Sequence, residues 1–246
     1  MPKPRSSQPI PDPAALNPSA HQPTTGPTEL SATGRKSAST PTPTSWIPSG
    51  PDIQASLHRS LTEARDALDI FLAAEANLDA LSAMSSALTH CFQSGNKVLA
   101  CGNGGSACDA IHFAEEFTGR FRKHRRALPV IPLTDAAHMT CVANDYGYDE
   151  VFARGVEAFG KPGDLLLAIS TSGNSANVIR AVETAKGLGM GTLLLLGKTG
   201  GRLKGSGTHE LIVDSETTER IQEIHMLALH VLIESVERTL FPENYP

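Results

Sequence analysis

The amino-acid sequence predicts an α/β protein, a three-layer sandwich in which helices flank a central, mostly parallel β-sheet. Short apolar runs alternate with helical patterns from Val98 onwards, and such alternation is typical of parallel strands joined by helices. Residues 165–169 and 193–196 are apolar throughout, which favours strands that are buried on both faces. Polar loops follow two of these runs, and open parallel sheets bind their ligands at such strand ends.

Composition divides the chain into two parts. Twelve of the 17 prolines lie within residues 1–51, in a stretch that is also rich in serine and threonine and has one aromatic residue, Trp46. Such a stretch buries too little apolar surface to offset the entropy lost on ordering. We therefore predict that residues 1–50 are a disordered extension and that residues 51–246 form one domain of ordinary size.

Charge and cysteine content argue against several classes of protein. A formal net charge of −5 gives no electrostatic footprint for nucleic acid, and no apolar run has the roughly 18 residues of a membrane helix. The four cysteines form no C-x-x-C pair, and Cys91 and Cys101 lie in apolar runs expected in the core. The first 30 residues lack the apolar region of a signal peptide, so we expect a cytoplasmic protein with reduced thiols.

Two helices are predicted before the first strand. Apolar residues recur every three to four positions through residues 52–94. Asn77 is a candidate cap for the second helix, and Gly95 fits just past its end. The apolar stripes are longer than a covering helix in a monomer needs, so we expect these helices at the centre of an oligomer.

Strands and helices then alternate. We predict strands at residues 97–101, 128–133, 165–170, 192–196 and 211–213. We predict helices at residues 106–120, 137–143, 149–159 and 175–188, and a long final helix at 218–240.

The first polar loop joins a buried strand to a helix and reads Gly102-Asn-Gly-Gly-Ser106. Free backbone N–H groups and the positive end of the helix are expected to point at one spot there, which suits an anion. His112 and Glu116 stand two turns into that helix, and their four-residue spacing places them on one face. An imidazole and a carboxylate beside a glycine loop predict a reaction site.

The second polar loop follows the strand that ends near Ile169 and reads Ser170-Thr-Ser-Gly-Asn-Ser175. Hydroxyl groups and backbone N–H groups at a helix start suit a phosphate monoester. The alternative is a capping turn, since serine, threonine and asparagine also cap helices. Neither loop has the G-K-[ST] or G-x-G-x-x-G pattern of nucleotide-binding loops.

A basic cluster spans residues 120–126. The simpler interpretation is a solvated helix end and loop, because the negative C-terminal end of a helix favours positively charged side chains. The alternative is that some of it, Arg120 first, faces a phosphorylated ligand or a neighbouring subunit.

The final helix carries Gln222, His225 and His230 among apolar residues. A histidine on an apolar helix face is most often a core residue. Together with His112 and Glu116, however, Gln222 and one of the two histidines would give a mixed nitrogen and oxygen set able to accept zinc. The spacing alone does not choose between His225 and His230.

Five stretches together resemble the phosphoheptose isomerases, a family built on the sugar isomerase (SIS) fold. They are G-N-G-G-S (102–106), H-F-A-E-E (112–116), N-D (144–145), I-S-T-S-G-N-S-A-N (169–177) and R-I-Q-E-I-H (220–225). The resemblance covers roughly residues 53–240. The serine-rich stretch alone indicates a phosphosugar-binding SIS domain, whereas H-F-A-E-E and R-I-Q-E-I-H are much more specific.

The resemblance implies an aldose–ketose isomerase that interconverts sedoheptulose 7-phosphate and D-glycero-D-manno-heptose 7-phosphate, the first step toward nucleotide-activated heptose. It also implies a homotetramer with sites shared between subunits, and zinc, one ion per subunit. The implied zinc ligands are His112, Glu116, Gln222 and His230. The resemblance, not the geometry, prefers His230 over His225, and it implies Glu116 and His230 as the acid/base pair.

The implied substrate-binding residues come from both loops and from four other places in the chain. They are Asn103, Gly104, Gly105, Ser106, Glu116, Arg120, Asn144, Asp145, Ser170, Thr171, Ser172, Ser175 and Gln222. The sequence departs from the family at Ala107, where members often carry histidine, at Glu219, where we expect aspartate, and in its extension. None of these departures touches the four ligand positions.

Two other functions share the fold. A replication-initiator-associating protein of the same fold and tetrameric form lacks the acid/base pair, so Glu116 with His230 argues against it. Another phosphosugar isomerase or a phosphosugar sensor would share the serine-rich loop but not the two specific stretches. Turnover of sedoheptulose 7-phosphate distinguishes the first alternative, and a panel of phosphosugar substrates distinguishes the second.

Overall fold

The computed structural model describes residues 51–245, and the predicted extension over residues 1–50 lies outside the described residues. Two helices come first, as predicted: α1 (Pro51–Ala73) and α2 (Glu75–Gln93). Asn77 does not cap α2, because that helix begins after Ala74. Asn77 lies in its first turn, where Nδ2 donates to the carbonyl of Phe71 at 2.8 Å and ties α2 to the end of α1.

Five strands form a single sheet in which every neighbouring pair is parallel. They are β1 (Val98–Gly102), β2 (Val130–Pro132), β3 (Leu165–Ser170), β4 (Gly191–Gly197) and β5 (His209–Val213), in the order β2-β1-β3-β4-β5. All five predicted strands are present. β2 is shorter than predicted because Pro129 and Pro132 lack the N–H that a longer ladder needs.

Five further helices connect or follow the strands. They are α3 (Gly105–Thr118), α4 (Ala136–Asp145), α5 (Val151–Phe159), α6 (Ala176–Gly187) and α7 (Thr218–Leu240). The helix predicted at 149–159 begins instead with a 3₁₀ turn over Tyr148–Glu150 and continues as α5. The final helix spans the predicted residues.

The helices cover both faces of the sheet. Val98 and Ala100 of β1 belong to a core that they share with α1, α2, α3 and α7. Leu99 and Cys101 point the other way, into a core with α4, α5 and α6. Strands buried on both faces explain the continuous apolar runs, and the three-layer α/β sandwich is confirmed.

The prediction of a solvated basic cluster is wrong for Arg125. Its side chain is fully buried and pairs with the equally buried carboxylate of Glu237 in α7, at 2.7 Å. A buried charge is tolerated where a partner charge and hydrogen bonds replace water. Composition does not reveal such a partner, because Glu237 lies 112 residues further along the chain.

Cys91 and Cys101 are buried, as predicted, and all four cysteines are free. Across residues 51–245, none of the helices combines the length and apolarity that crossing a membrane requires.

Candidate active site

The two polar loops lie side by side. The glycine loop (residues 102–106) follows β1 and the serine loop (residues 170–175) follows β3, and these strands pair along their length. The chain leaves β1 toward β2 on one side and returns to β3 on the other, which makes this edge the switch point where open sheets bind ligands. The loops are joined by Asn103 and Asn177, each of which donates its amide N–H to the other's Oδ1 at 2.8 Å.

The glycine loop is shaped by backbone conformations that glycine favours. Gly104 has φ 55° and ψ −121°. The N–H groups of Ser106, Ala107 and Cys108 donate to the carbonyls of Asn103 and Gly104 as α3 begins. These three donors are used within the turn, so fewer N–H groups are available to an anion than the sequence predicted.

Gln222 of α7 lies against this loop. A Cβ on Gly105 would stand 2.5 Å from the Gln222 side-chain nitrogen and 2.7 Å from its oxygen, which is closer than real atoms approach. Glycine at position 105 therefore lets an amide from the last helix reach the start of α3.

Two hydroxyl groups of the serine loop, those of Ser170 and Ser175, contact each other. Ser170 Oγ lies 3.2 Å from Ser175 Oγ and accepts a hydrogen bond from the N–H of Gly173 at 3.1 Å. Ser175 occupies the N-cap position of α6, yet its side chain caps none of the N–H groups of that helix. The capping alternative therefore does not account for Ser175, whose hydroxyl faces Ser170.

Three side chains converge where α3 meets α7. His112 Nε2 lies 3.3 Å from Glu116 Oε1 and 3.2 Å from His230 Nε2, and one ligand atom from each residue falls within 4.8 Å of the others. His112 and Glu116 share a face of α3, as their spacing predicts. All three side chains are partly buried.

Aromatic contacts orient the His230 ring. The ring of Phe121 stacks on it with centroids 5.9 Å apart and 25° between planes, and the His112 ring meets it edge-on at 5.0 Å. The Phe121 contact was not anticipated from the sequence, because Phe121 lies within the basic cluster.

His225 has a different environment. Its side chain is fully buried, and Nε2 lies 2.9 Å from the carbonyl of Leu196 in β4, to which it donates. Burial lowers the pKa of His225 to about 4, against a smaller opposing effect of that hydrogen bond. His225 and His230 are five residues apart, which places them about 140° apart around the helix, so only His230 faces His112.

Asp109 is a buried acid that the sequence did not single out. It lies on α3, three residues before His112, and its Oδ2 has no hydrogen-bond partner within residues 51–245. Burial raises the pKa of Asp109 to about 6, and the nearby His112 partly opposes the shift.

Other residues implied in substrate binding stand apart from the triad. Arg120 is exposed beyond the end of α3, and Asn144 and Asp145 are exposed at the end of α4. Asn144 Nδ2 donates to Asp145 Oδ1 at 2.7 Å. From the same connection, the Tyr148 hydroxyl donates to Asn103 Oδ1 at 3.0 Å. Tyr148 and Asn177 both contact Asn103, and neither was singled out from the sequence, although Asn177 lies in the serine-rich stretch itself.

The donor set fits a zinc ion. Two imidazole nitrogens and a carboxylate oxygen are ligands that zinc accepts. Ligand atoms bonded to zinc at about 2.0–2.1 Å in a tetrahedron lie about 3.3 Å apart. The separations of 3.3 and 3.2 Å between the triad atoms match that spacing.

Known proteins resemble this chain in sequence and in fold. Residues 63–197 match the SIS domain family. A phosphoheptose isomerase of Fusobacterium nucleatum is 61% identical over 158 residues, which are 64% of this chain and 81% of that protein. One from Yersinia pestis is 49% identical over 185 residues, 75% of this chain and 96% of that protein. The structure of a phosphoheptose isomerase from Neisseria gonorrhoeae superposes with a TM-score of 0.70 at 37% identity, covering 75% of this chain and 98% of that one.

Proposed function

Because the chain belongs to the phosphoheptose isomerase family of SIS-domain proteins, we propose that it interconverts sedoheptulose 7-phosphate and D-glycero-D-manno-heptose 7-phosphate. The reaction is an aldose–ketose isomerisation and begins the route to nucleotide-activated heptose. The observation that carries the proposal is the meeting of His112 and Glu116 with His230 where α3, which begins at the glycine loop, meets α7. Isomerisation moves a proton between C1 and C2, and such a group of residues supplies the acid and the base.

The serine loop binds the phosphate of the sugar. Ser170, Thr171, Ser172 and Ser175 provide four hydroxyl groups at the N-terminus of α6, where the helix dipole favours an anion. The phosphate is remote from the reacting carbons, so its binding energy holds the sugar in place for the chemical step.

The glycine loop holds the sugar near its reacting end. Asn103, Gly104, Gly105 and Ser106 line this loop, with Gln222 against it. We assign Arg120, Asn144 and Asp145 to the same substrate. Their exposure in a single chain suits a site that a neighbouring subunit completes.

Glu116 and His230 carry the proton transfers. The Oε1 atom of Glu116 faces His112, and its second carboxylate oxygen is the base that takes the proton from one carbon and returns it to the other. His230 moves a proton between the two sugar oxygens as the enediol forms and collapses, through the ring nitrogen that is not assigned to the metal. Phe121 keeps the His230 ring in the orientation that this exchange needs.

We assign one zinc ion per subunit to His112, Glu116, Gln222 and His230. When bound, zinc supplies Lewis-acid stabilisation of the negative charge that develops on the sugar oxygens.

We propose a homotetramer with α1 and α2 at its centre. Large apolar side chains of α1 are exposed in the single chain, among them Leu57 at 61%, Leu61 at 73% and Ile70 at 54%. Exposed apolar patches of this kind mark interfaces. Light scattering at micromolar concentration should return a tetramer mass, and a monomer mass would contradict the assembly.

We also assign the protein to the cytoplasm. Cys108 and Cys141 are exposed and free, and exposed free thiols suit a reducing compartment.

The deciding experiment is a turnover assay on sedoheptulose 7-phosphate, with and without a chelator, beside a panel of other phosphosugars. We expect turnover of the heptulose above the rest of the panel and a loss of activity with the chelator. Preference for another phosphosugar would assign a different isomerase. A protein that binds phosphosugars without converting any of them would contradict the proposal.

A further inference from the structure

We propose that Arg125 and Glu237 are positioning residues that fix the base Glu116 relative to the acid His230. Arg125 lies in residues 119–128, which we call the strap. The strap runs between the end of α3 and the C-terminal half of α7, and Arg125 contacts both. This inference rests on the proposed function, since it concerns the geometry of the same acid/base pair.

The first contact of Arg125 is with the end of α3. Its Nη2 donates to the carbonyl of Glu116 at 2.6 Å, and Nη1 donates to that of Phe117 at 2.7 Å. The last four carbonyls of a helix have no partner inside the helix. The guanidinium satisfies two of them, one of which belongs to the residue that acts as the base.

The second contact of Arg125 is with α7. Its Nε donates to Glu237 Oε1 at 2.7 Å, and Glu237 Oε2 accepts from the hydroxyl of Tyr245 at 2.8 Å. Glu237 lies seven residues after His230, so the two side chains are about 20° apart around α7 and share a face. One buried side chain therefore bonds the backbone of Glu116 and the helix face that carries His230.

The strap touches His230 directly between these contacts. The Phe121 ring stacks on the His230 ring, and Arg122 pairs with Glu234 of α7 at 2.7 Å. The Arg122–Glu234 pair joins the same two segments but is exposed, with 49% and 28% of its side-chain surfaces accessible, whereas the Arg125–Glu237 pair is fully buried. The exposed pair is thus a matched control for the buried one.

A positioning role explains the buried pair better than a contribution to stability does. Replacing a buried ion pair by apolar residues of similar size is often neutral or stabilising, so stability alone is weak grounds for keeping one. The planar fork of arginine fixes direction at several acceptors at once, which the ammonium group of lysine does not. Catalysis is sensitive to such placement, because a shift of about 1 Å can lower the rate about 100-fold.

The test compares three full-length variants with the wild type. Arg125→Met with Glu237→Met removes the buried pair without leaving an unpaired charge. Arg122→Lys with Glu234→Gln removes the exposed ion pair and keeps a cation at position 122, where the arginine lies over the Phe121 ring. Arg125→Lys keeps the buried charge and removes the fork. Turnover of sedoheptulose 7-phosphate is measured well below each melting temperature, so that folding and catalysis are read separately.

We expect the buried double variant and Arg125→Lys to lose at least about tenfold in kcat, with KM within about twofold. The exposed double variant should stay within about twofold in both constants. If the buried double variant does not fold, Arg125→Lys decides the question by the same criterion.

Values of kcat within about twofold of wild type for the folded buried-pair variants would overturn the inference and leave the proposed function standing. An equal loss in the exposed double variant, or a change confined to KM, would also overturn it. A wild-type protein that does not turn over the sugar contradicts the proposed function itself, so the two failures are distinct.

Discussion

Helix α7 presents two histidines to opposite surroundings. His225 is fully buried against β4, where its Nε2 donates to the Leu196 carbonyl and burial lowers its pKa to about 4. His230 is partly buried, faces His112, and is covered on one side by Phe121. The residue type and the helix are the same, so the face of the helix decides which histidine joins the core and which joins the triad.

The difference lies in what each ring nitrogen meets. The Nε2–H of His225 donates to a backbone carbonyl, and its buried Nδ1 has no hydrogen-bond partner within residues 51–245. Such a ring stays neutral and fixed, which makes it part of the core. His230 instead turns Nε2 toward a second imidazole and a carboxylate.

Loss of the proposed base, Glu116, should have the largest effect on turnover. Glu116→Gln keeps the shape of the side chain but cannot accept a proton. General acid–base catalysis supplies about 10²- to 10⁴-fold, so kcat should fall at least about 100-fold, equivalent to about 2.7 kcal/mol of barrier. Substrate binding, measured by calorimetry, should persist.

The neighbouring Glu115 supplies the control for that variant. It is exposed and lies 4.0 Å from His112 Nε2, so Glu115→Gln makes the same chemical change one position away. Its kcat should stay near that of the wild type. A near-normal rate for Glu116→Gln would show that the base is another residue.

The two histidines can be compared directly by the same substitution. His230→Gln removes the imidazole assigned to proton exchange at the site, and kcat should fall about 100-fold with the fold intact. His225→Gln removes a packed ring from the core, so the free energy of unfolding should fall by about 1–3 kcal/mol while kcat changes little. Steady-state kinetics and urea unfolding of both variants measure the two effects. Inactivation by His225→Gln alone would reverse the assignment.

The sequence predicted the elements well because their signals are local. Apolar runs that alternate with helical patterns predicted all five strands, and the spacing of His112 and Glu116 predicted their shared face. Strand ends were less accurate where proline removed a ladder donor, as at Pro132. Asn77 was assigned as a cap because its residue type suits that position, although the helix starts earlier.

Contacts between residues that are distant in the chain could not be predicted from local sequence patterns. His225 and His230 were both open as ligands, because helical spacing places a residue on a face but does not say which element covers that face. Arg125 was interpreted as solvated for the same reason, since its partner Glu237 is distant in the chain. The Tyr148 hydroxyl donates to Asn103, which lies 45 residues earlier in the chain, and no periodic pattern predicts such a contact.

The pH dependence of stability should report on the burial of His225. The pKa of His225 is about 4 in the folded protein and about 6.5 in the unfolded chain. The unfolded state therefore binds the proton first, and stability falls as pH drops from about 6.5 to about 4. At pH 5 this loss amounts to about 2 kcal/mol relative to pH 7.

His225→Gln removes that contribution, so its stability deficit should shrink by about 2 kcal/mol between pH 7 and pH 5 in urea unfolding. Asp109, whose raised pKa of about 6 acts with the opposite sign, is present in both proteins and cancels in the comparison. Parallel pH curves for wild type and variant would contradict the assignment of His225 as a neutral core residue.

The smallest effect is expected from removing residues 1–50. The triad and both loops lie between residues 102 and 230, and α1 begins at Pro51 with its exposed apolar side chains, among them Leu57 and Leu61, still in place. Truncation thus removes neither the triad nor the surface assigned to assembly. We expect kcat and KM within about twofold of the full chain and an unchanged mass by light scattering. An inactive or monomeric truncated protein would mean that the extension belongs to the site or to the interface, because neither the triad nor α1 is altered by the deletion.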